Sequence, residues 1–246
     1  GEHANGRDHT ARSGLSENRH TDRREESTLE GPMNMLTKLA LGAMGRLRAQ
    51  PAKGAGQARI TLPPANTHGG LPLMDALAKR RSQREFATTP LSPQQLSDLL
   101  WAAWGVNRPD GGRTAPSALD AQEIDLYLAL PEGAYHYDAA AHALVRVADA
   151  DVRRVTGYQD FVDEAPLDLV LVADHARMRM VPAAQRESYA SAAAGAIAQN
   201  VYLYAASTGL ATVIRAWIDR QAIADALGLN HDQQVLLSQT VGFPKP

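Results

Sequence analysis

Ile124-Asp125-Leu126-Tyr127-Leu128-Ala129-Leu130 sets the fold class. Large aliphatics alternate with Asp125, Tyr127 and Ala129, which is the period of a strand with one buried face. Downstream, Ala134 to Val147, centred on Asp138 to Ala141, reads as a hairpin. Pro166 then introduces Leu167 to Ala173, an almost unbroken apolar run expected of a central strand covered on both faces. Leu210 to Trp217 and Val235 to Phe243 read as further strands, the last stopped by Pro244.

Helical periods fall between these strands. Leu73, Met74 and Leu77 mark a short helix into Lys79. Ser92 caps a second, with Pro93 at its first position and Leu96, Leu99, Leu100 and Ala103 on one face. Glu187 to Thr208 is rich in alanine and closed by Gly209; about 22 residues at 1.5 Å each would cross a whole domain, so a central core helix is expected. Asp219 to Leu227 reads as a capped helix ending at Gly228. Strands and helices mix without strict alternation, which points to an α+β fold.

Composition sets the boundaries. A chain of 246 residues allows one large domain, or one domain with a tail. Gly1 to Pro32 holds five arginines, seven acidic residues and three histidines, with Leu15 and Leu29 its only large aliphatics, so disorder is expected there. Gln50 to Gly70, with Pro51, Gly54, Gly56, Pro63, Pro64, Gly69 and Gly70, reads as an extended linker. The expected layout is therefore a tail and linker arm over 1–70 and a folded domain over 71–246. Between the two, Met33 to Gln50 carries a short apolar run after Lys38, interrupted by Arg46 and Arg48. It reads as a disordered or helical leader, with an export signal as the alternative.

The net charge of −2 implies no nucleic acid or anionic membrane as partner. No apolar run approaches the ~18 residues of a membrane span, and a cytoplasmic location is expected. With no cysteine, disulfides, thiol nucleophiles and Cys-type metal sites are excluded. Dinucleotide, P-loop, zincin and serine-hydrolase motifs are absent. His136, His142, His175 and His231 are scattered and read as surface or turn residues. Two stretches stand out. Lys79-Arg80-Arg81-Ser82-Gln83-Arg84 concentrates cations that an anion would relieve, although cations at a helix C-terminus also complement its dipole. Gly111-Gly112-Arg113-Thr114-Ala115-Pro116-Ser117-Ala118 is a small, hydroxyl-rich turn leading into a strand.

These stretches carry a resemblance. Arg80 to Phe86, Leu99 to Gly105 and Arg113 to Ala118 resemble, in order, the nitroreductase family of FMN-dependent oxidoreductases. Gln199 to Leu203, Gly209 to Thr212 and Gln239 to Lys245 resemble the same family's core helix, flavin-side loop and last strand, so the likeness spans roughly Leu71 to Lys245. It implies a central mixed, mainly antiparallel sheet flanked by helices, an intertwined homodimer, and FMN at the dimer interface. It also implies NAD(P)H as electron donor and ping-pong reduction of a nitroaromatic, quinone or similar conjugated small molecule. Trp101 and Trp104 then read as core and dimer packing.

Carried over by position, Arg80 and Ser82 match phosphate- and ribityl-facing residues, and Arg81 a position that is usually basic or histidine. Arg84 matches the basic residue at the flavin pyrimidine edge, where it gives electrostatic support; no protein side chain is expected to carry the chemistry itself. Pro116 and Ser117 match the loop against the ring, and Asp120 and Gln122 fall where Asn and Gln are common. Gly209, Leu210 and Ala211 match the loop over the flavin, and Lys245 approaches the phosphate. Two departures stand against this. An ionised Asp120 accepts but cannot donate, and the chain stops at Pro246, before a basic segment that many relatives use. They motivate an alternative, a flavin-binding module without turnover. Tyr135-His136-Tyr137-Asp138 resembles a second branch, FMN-dependent dehydrogenases of azoline rings in modified peptides.

Overall fold

The computed structural model describes residues 31–246. The disorder expected for Gly1 to Pro32 concerns, up to residue 30, a stretch outside the described residues. Helices α1 (Met35–Ala43), α2 (Leu73–Lys79), α3 (Pro93–Trp104), α4 (Ala183–Thr208) and α5 (Arg220–Leu227) are joined by strands β1 (Gln50–Pro51), β2 (Arg59–Thr61), β3 (Ile124–Leu130), β4 (Gly133–Asp138), β5 (Ala143–Ala148), β6 (Ala150–Asp151), β7 (Leu167–Asp174), β8 (Ala211–Arg215) and β9 (Gln233–Gly242). A seven-stranded sheet has the order β2-β5-β4-β3-β7-β9-β8, and β1 pairs with β6 in a separate ribbon. The class is α+β, as expected. Every pairing among the described residues is antiparallel, so the mixed component implied by the resemblance is not seen there.

Helices cover both faces of the sheet. Leu126, Leu128, Leu169 and Leu171 pack with α3 and α4 in one core. On the other face Tyr127, Ala129, Val170 and Val172 pack with Ile223 and Leu227 of α5 and with Met33 and Leu47 around α1. This corrects the one-faced reading of β3. Its alternate positions turn to a second apolar layer instead of water, and buried Asp125 is answered by His136 at 3.2 Å and Arg177 at 2.6 Å.

α4 begins at Ala183, four positions before the expected Glu187. Ala190, Ala193, Ala194, Ala198 and Ala205 face inward, and side chains this small let the helix lie close to the sheet. Gly209 ends it at φ +76°, a left-handed position that only glycine adopts freely. α3 is capped as read, with Ser92 accepting from Gln95 N and Gln95 returning a bond to Ser92 N.

The linker reading of 50–70 and the boundary at Leu71 are corrected. β2 pairs with β5 as the outermost strand, Leu62 is buried, and Gly56 passes so close to Tyr135 that a Cβ there would collide with its hydroxyl. The Met33 to Gln50 stretch is likewise integral to the domain. Lys38 is fully buried, paired to Asp163 and donating to Gln159 O at 2.8 Å, while Met33 N donates to Asp163 at 3.1 Å. Asp163 belongs to a buried charged layer that also holds the pairs Arg153–Asp151, Arg154–Asp163 and Arg215–Asp168.

α2 ends at Lys79 as read, but its large apolar side chains do not face the core. Ala76 turns inward, whereas Leu73, Met74 and Leu77 stay exposed at 63, 73 and 42%. Among the described residues no helix is long and apolar enough to cross a membrane.

Candidate active site

Arg80 to Phe86 leaves α2 as an extended segment laid along the open edge of β8. Gln83 N donates to Thr212 O at 3.0 Å, Ala87 N to Phe243 O at 2.8 Å, and Lys245 N to Glu85 O at 3.2 Å. Phe86 bridges Pro244 and buries its ring against Phe161, with centroids 5.3 Å apart. Gly242 permits the close approach, since a Cβ there would meet Pro166 at 2.8 Å. The segment thus satisfies an exposed strand edge and holds Arg84 between pinned neighbours.

Two tethers organise its start. The Arg80 guanidinium stacks 5.2 Å from the centroid of the Tyr202 ring. Ser82 Oγ lies 2.7 Å from the Tyr202 hydroxyl, whose oxygen accepts Ile214 N–H at 3.0 Å. With that oxygen occupied, Tyr202 is well placed to donate to Ser82, leaving the serine hydrogen for a ligand. Arg84 and Lys245 line an open cavity of about 280 Å³ with Gln83, Glu85 and Pro244. Arg81 and Arg84 are exposed and make no ion pair among the described residues, and Lys245 has only a loose one, to Glu164 at 3.7 Å.

The second stretch forms a different surface. Pro116, Ser117 and Asp120 line a cavity of about 450 Å³ with Asn107, Arg108, Arg113, Thr114 and Ala115. Ser117 Oγ accepts Gln122 N at 2.9 Å. Leu119, Asp120 and Gln122 all have positive φ, at 56°, 51° and 48°, a costly geometry that the surrounding bonds maintain. Gln122 is the main brace: Oε1 accepts Arg113 Nε at 2.8 Å, and Nε2 donates to Gly111 O and Asp120 Oδ1, each at 3.2 Å.

One chain therefore does not gather the residues read from the sequence into one site. Arg84 and Lys245 share one cavity, Pro116, Ser117 and Asp120 another, and the two linings have no residue in common. Leu210 and Ala211 are buried, leaving Gly209 as the exposed member of that loop. Tyr202 and Arg113 had no role assigned from sequence, though both lie within the quoted motifs. The available signals were a tyrosine inside an alanine-rich helix and an arginine directly after two glycines.

His231 is exposed and His142 lies in the turn between β4 and β5, as read, although His142 also bonds Ser97 and Tyr137, at 2.7 and 2.9 Å. His136 and His175 differ: half-buried, they bond Asp125 at 3.2 Å and Gln234 at 2.7 Å. Among the described residues no His, Cys, Asp and Glu cluster suits a metal ion.

The described residues thus form an α+β domain that carries a cationic cleft and a hydroxyl-lined cleft. The chain belongs to the nitroreductase family: the model described as "Nitroreductase family" matches residues 77–243. A Methanocaldococcus jannaschii protein designated a nitroreductase, MJ1384, is 36% identical over 160 residues, 61% of this chain and 81% of that protein. A crystal structure from Ralstonia eutropha JMP134, also designated a nitroreductase, superposes with TM-score 0.78 at 51% identity, covering 81% of this chain and 96% of that one. The NADPH:FMN oxidoreductase of Vibrio harveyi, solved with NAD+, shares the fold at TM-score 0.53 and 21% identity, over 71% of this chain and 69% of that one.

Proposed function

We propose that the chain is an FMN-dependent oxidoreductase that takes hydride from NAD(P)H and delivers it to a nitroaromatic, quinone or similar conjugated acceptor. It works as a homodimer in which each chain completes the other's cofactor site. The observation that carries this reading is the division of the site: a cationic cleft and a hydroxyl-lined loop, both open, whose linings share no residue within one chain. Exposed Leu73, Met74 and Leu77 give an apolar face for the second copy to cover.

The residues fit FMN. Its phosphate, and the ring edge that becomes negative on reduction, need cations that are not already spent, and Arg81 and Arg84 are such cations. Arg80 and Ser82, fixed by Tyr202, face the phosphate and ribityl chain, and Lys245 approaches the same group. Arg84 sets a fixed positive charge at the ring edge where negative charge grows on reduction. Pro116 and Ser117 of the other chain shape the ring face, Asp120 accepts from the ring imide, and Gly209 offers backbone beside it. Gln122 acts at one remove, by holding Asp120. Leu210 and Ala211, turned into the core, hold the backbone of their loop. Bound here, FMN supplies two-electron hydride chemistry.

The hairpin residues that resemble the azoline-oxidising branch are taken up by packing. Tyr135 and Tyr137 are buried, and His136 is engaged by Asp125. The test is a visible spectrum of the purified protein, anaerobic bleaching by NADH or NADPH, and initial rates at several fixed acceptor concentrations. A yellow protein, bleached by a nicotinamide and giving parallel reciprocal plots, is expected. A colourless protein that takes up no added FMN would overturn the reading, and intersecting lines would replace ping-pong with a ternary complex.

A further inference from the structure

Arg113 is a half-buried cation held entirely by neutral partners. Nε donates to Gln122 Oε1 at 2.8 Å, Nη1 to Trp104 O at 3.2 Å, and the guanidinium stacks 5.3 Å from the centroid of the Trp104 ring. Nη2 has no partner, and Arg113 makes no ion pair among the described residues. Arg153, Arg177 and Arg215 differ in this respect, each paired with an aspartate. Burial pushes the Arg113 guanidinium below its ordinary range, yet a guanidinium stays charged at any physiological pH.

A cation stripped of water without an anion in return gains more from an arriving anion than a solvated one does. Arg113 is also already fixed on two nitrogens and one ring face, so binding costs little further side-chain freedom. Arg108 adds a second guanidinium to the same 450 Å³ cavity. It lies against Gly112, where a Cβ would collide with the guanidinium. Asp120 and Asp138 act on Arg113 through space, but no acid among the described residues forms an ion pair with it. Asp110 is 3.6 Å from Arg108 and exposed, while Asp120 is exposed and hydrogen-bonded to Gln122. The cavity has room for a ring-sized molecule.

We propose that Arg113, seconded by Arg108, is the anion-recognition element of this cavity, and that the second substrate presents an oxyanion to it. That oxyanion is a carboxylate on the acceptor or a phosphate on the donor. The words "second substrate" rest on the function proposed above; anion binding at Arg113 does not. Of the cations assigned to the cofactor, Arg84 and Lys245 line the other cleft, and neither Arg80 nor Arg81 lines this cavity, whose Pro116, Ser117 and Asp120 border the ring beside which a second substrate would sit.

The test is calorimetric titration of the full chain, as isolated and after FMN is removed, with two matched pairs. One pair is 4-nitrobenzoate and nitrobenzene, the other NAD+ and nicotinamide riboside. In wild-type protein the anionic member of at least one pair should bind about tenfold tighter, as one charge-assisted bond gives. Arg113→Gln should reduce that preference to within about twofold while the FMN content, read from the visible spectrum, is kept. Arg113→Lys should restore part of it. The pair that responds identifies the source of the oxyanion. Equal binding within both pairs by the wild-type protein overturns the proposal without any variant. So does a preference that survives in Arg113→Gln, or loss of FMN from that variant, which would place Arg113 in the cofactor's own site. A protein that never holds FMN fails the function proposed above, yet its titration still reads Arg113.

Discussion

Ser82 Oγ and the Tyr202 hydroxyl meet at 2.7 Å, and the same Tyr202 oxygen accepts Ile214 N–H at 3.0 Å. One side chain of the core helix thus closes the edge of β8 and positions the first loop of the cationic cleft. Tyr202→Phe should leave Ile214 N–H unpaired and Ser82 untethered. We expect a stability loss of about 1–2 kcal/mol by urea denaturation and FMN binding weakened about fivefold by fluorescence titration. An unchanged FMN affinity would remove this pair from the cofactor site.

Arg84 is exposed, so its replacement should spare the fold. Arg84→Ala should weaken FMN retention about tenfold, since a charge-assisted bond is worth about 1.5–3 kcal/mol. Flavin reduction in stopped flow should also slow at saturating FMN, because the fixed cation at the ring edge is gone. A variant with wild-type titration and wild-type reduction would exclude Arg84.

Exposed Leu73, Met74 and Leu77 bear on assembly. Wild-type protein should remain dimeric on dilution, as an obligate interface above about 2,000 Å² would. Met74→Glu combined with Leu77→Glu should shift sedimentation toward monomer and lower FMN content in parallel. A dimer unaffected by both charges would place the interface elsewhere.

Lys38 anchors α1 through Asp163 inside the protein. Burial lowers its pKa while Asp163 opposes that shift. Lys38→Met leaves Asp163 with Arg154 as its remaining cation and should cost about 3 kcal/mol in urea denaturation. A loss below about 1 kcal/mol would mean that α1 contributes little to the stability of the domain.

His142 makes stability depend on pH. Ser97 donates its one hydrogen to Pro63 O at 2.6 Å, so His142 Nε2–H donates to Ser97 and Nδ1 accepts from Tyr137. Burial pushes the His142 pKa below its ordinary 6.5. The unfolded chain then binds more protons between the folded value and 6.5, so stability is full above that window and falls as pH drops through it. Urea midpoints from about pH 7.5 to 5 should decline, and His142→Gln should remove part of that slope. An identical slope in the variant would assign the decline to other groups.

The sequence by itself determined what local periodicity and local chemistry encode. The alternation over Ile124–Leu130, the cap at Ser92, the stop at Gly209 and the order of the motifs gave the α+β class and the family. Neighbours in sequence carry these signals, so no partner need be known to read them. Tertiary structure alone decided where distant groups meet. A strand of three residues such as Arg59–Thr61 has too little pattern to stand out from a Pro- and Gly-rich stretch, and exists because β5 offers it an edge. Lys38, in a segment that reads as a leader, is drawn inside by Asp163, which lies 125 positions further along the chain. The division of the site has the same origin. Arg84 and Ser117 are 33 residues apart in sequence, but one follows the edge of β8 and the other precedes β3 near the middle of the sheet, so the fold carries them to different clefts. Residue types and spacing name the candidates, whereas long-range pairing sets which of them face the same space.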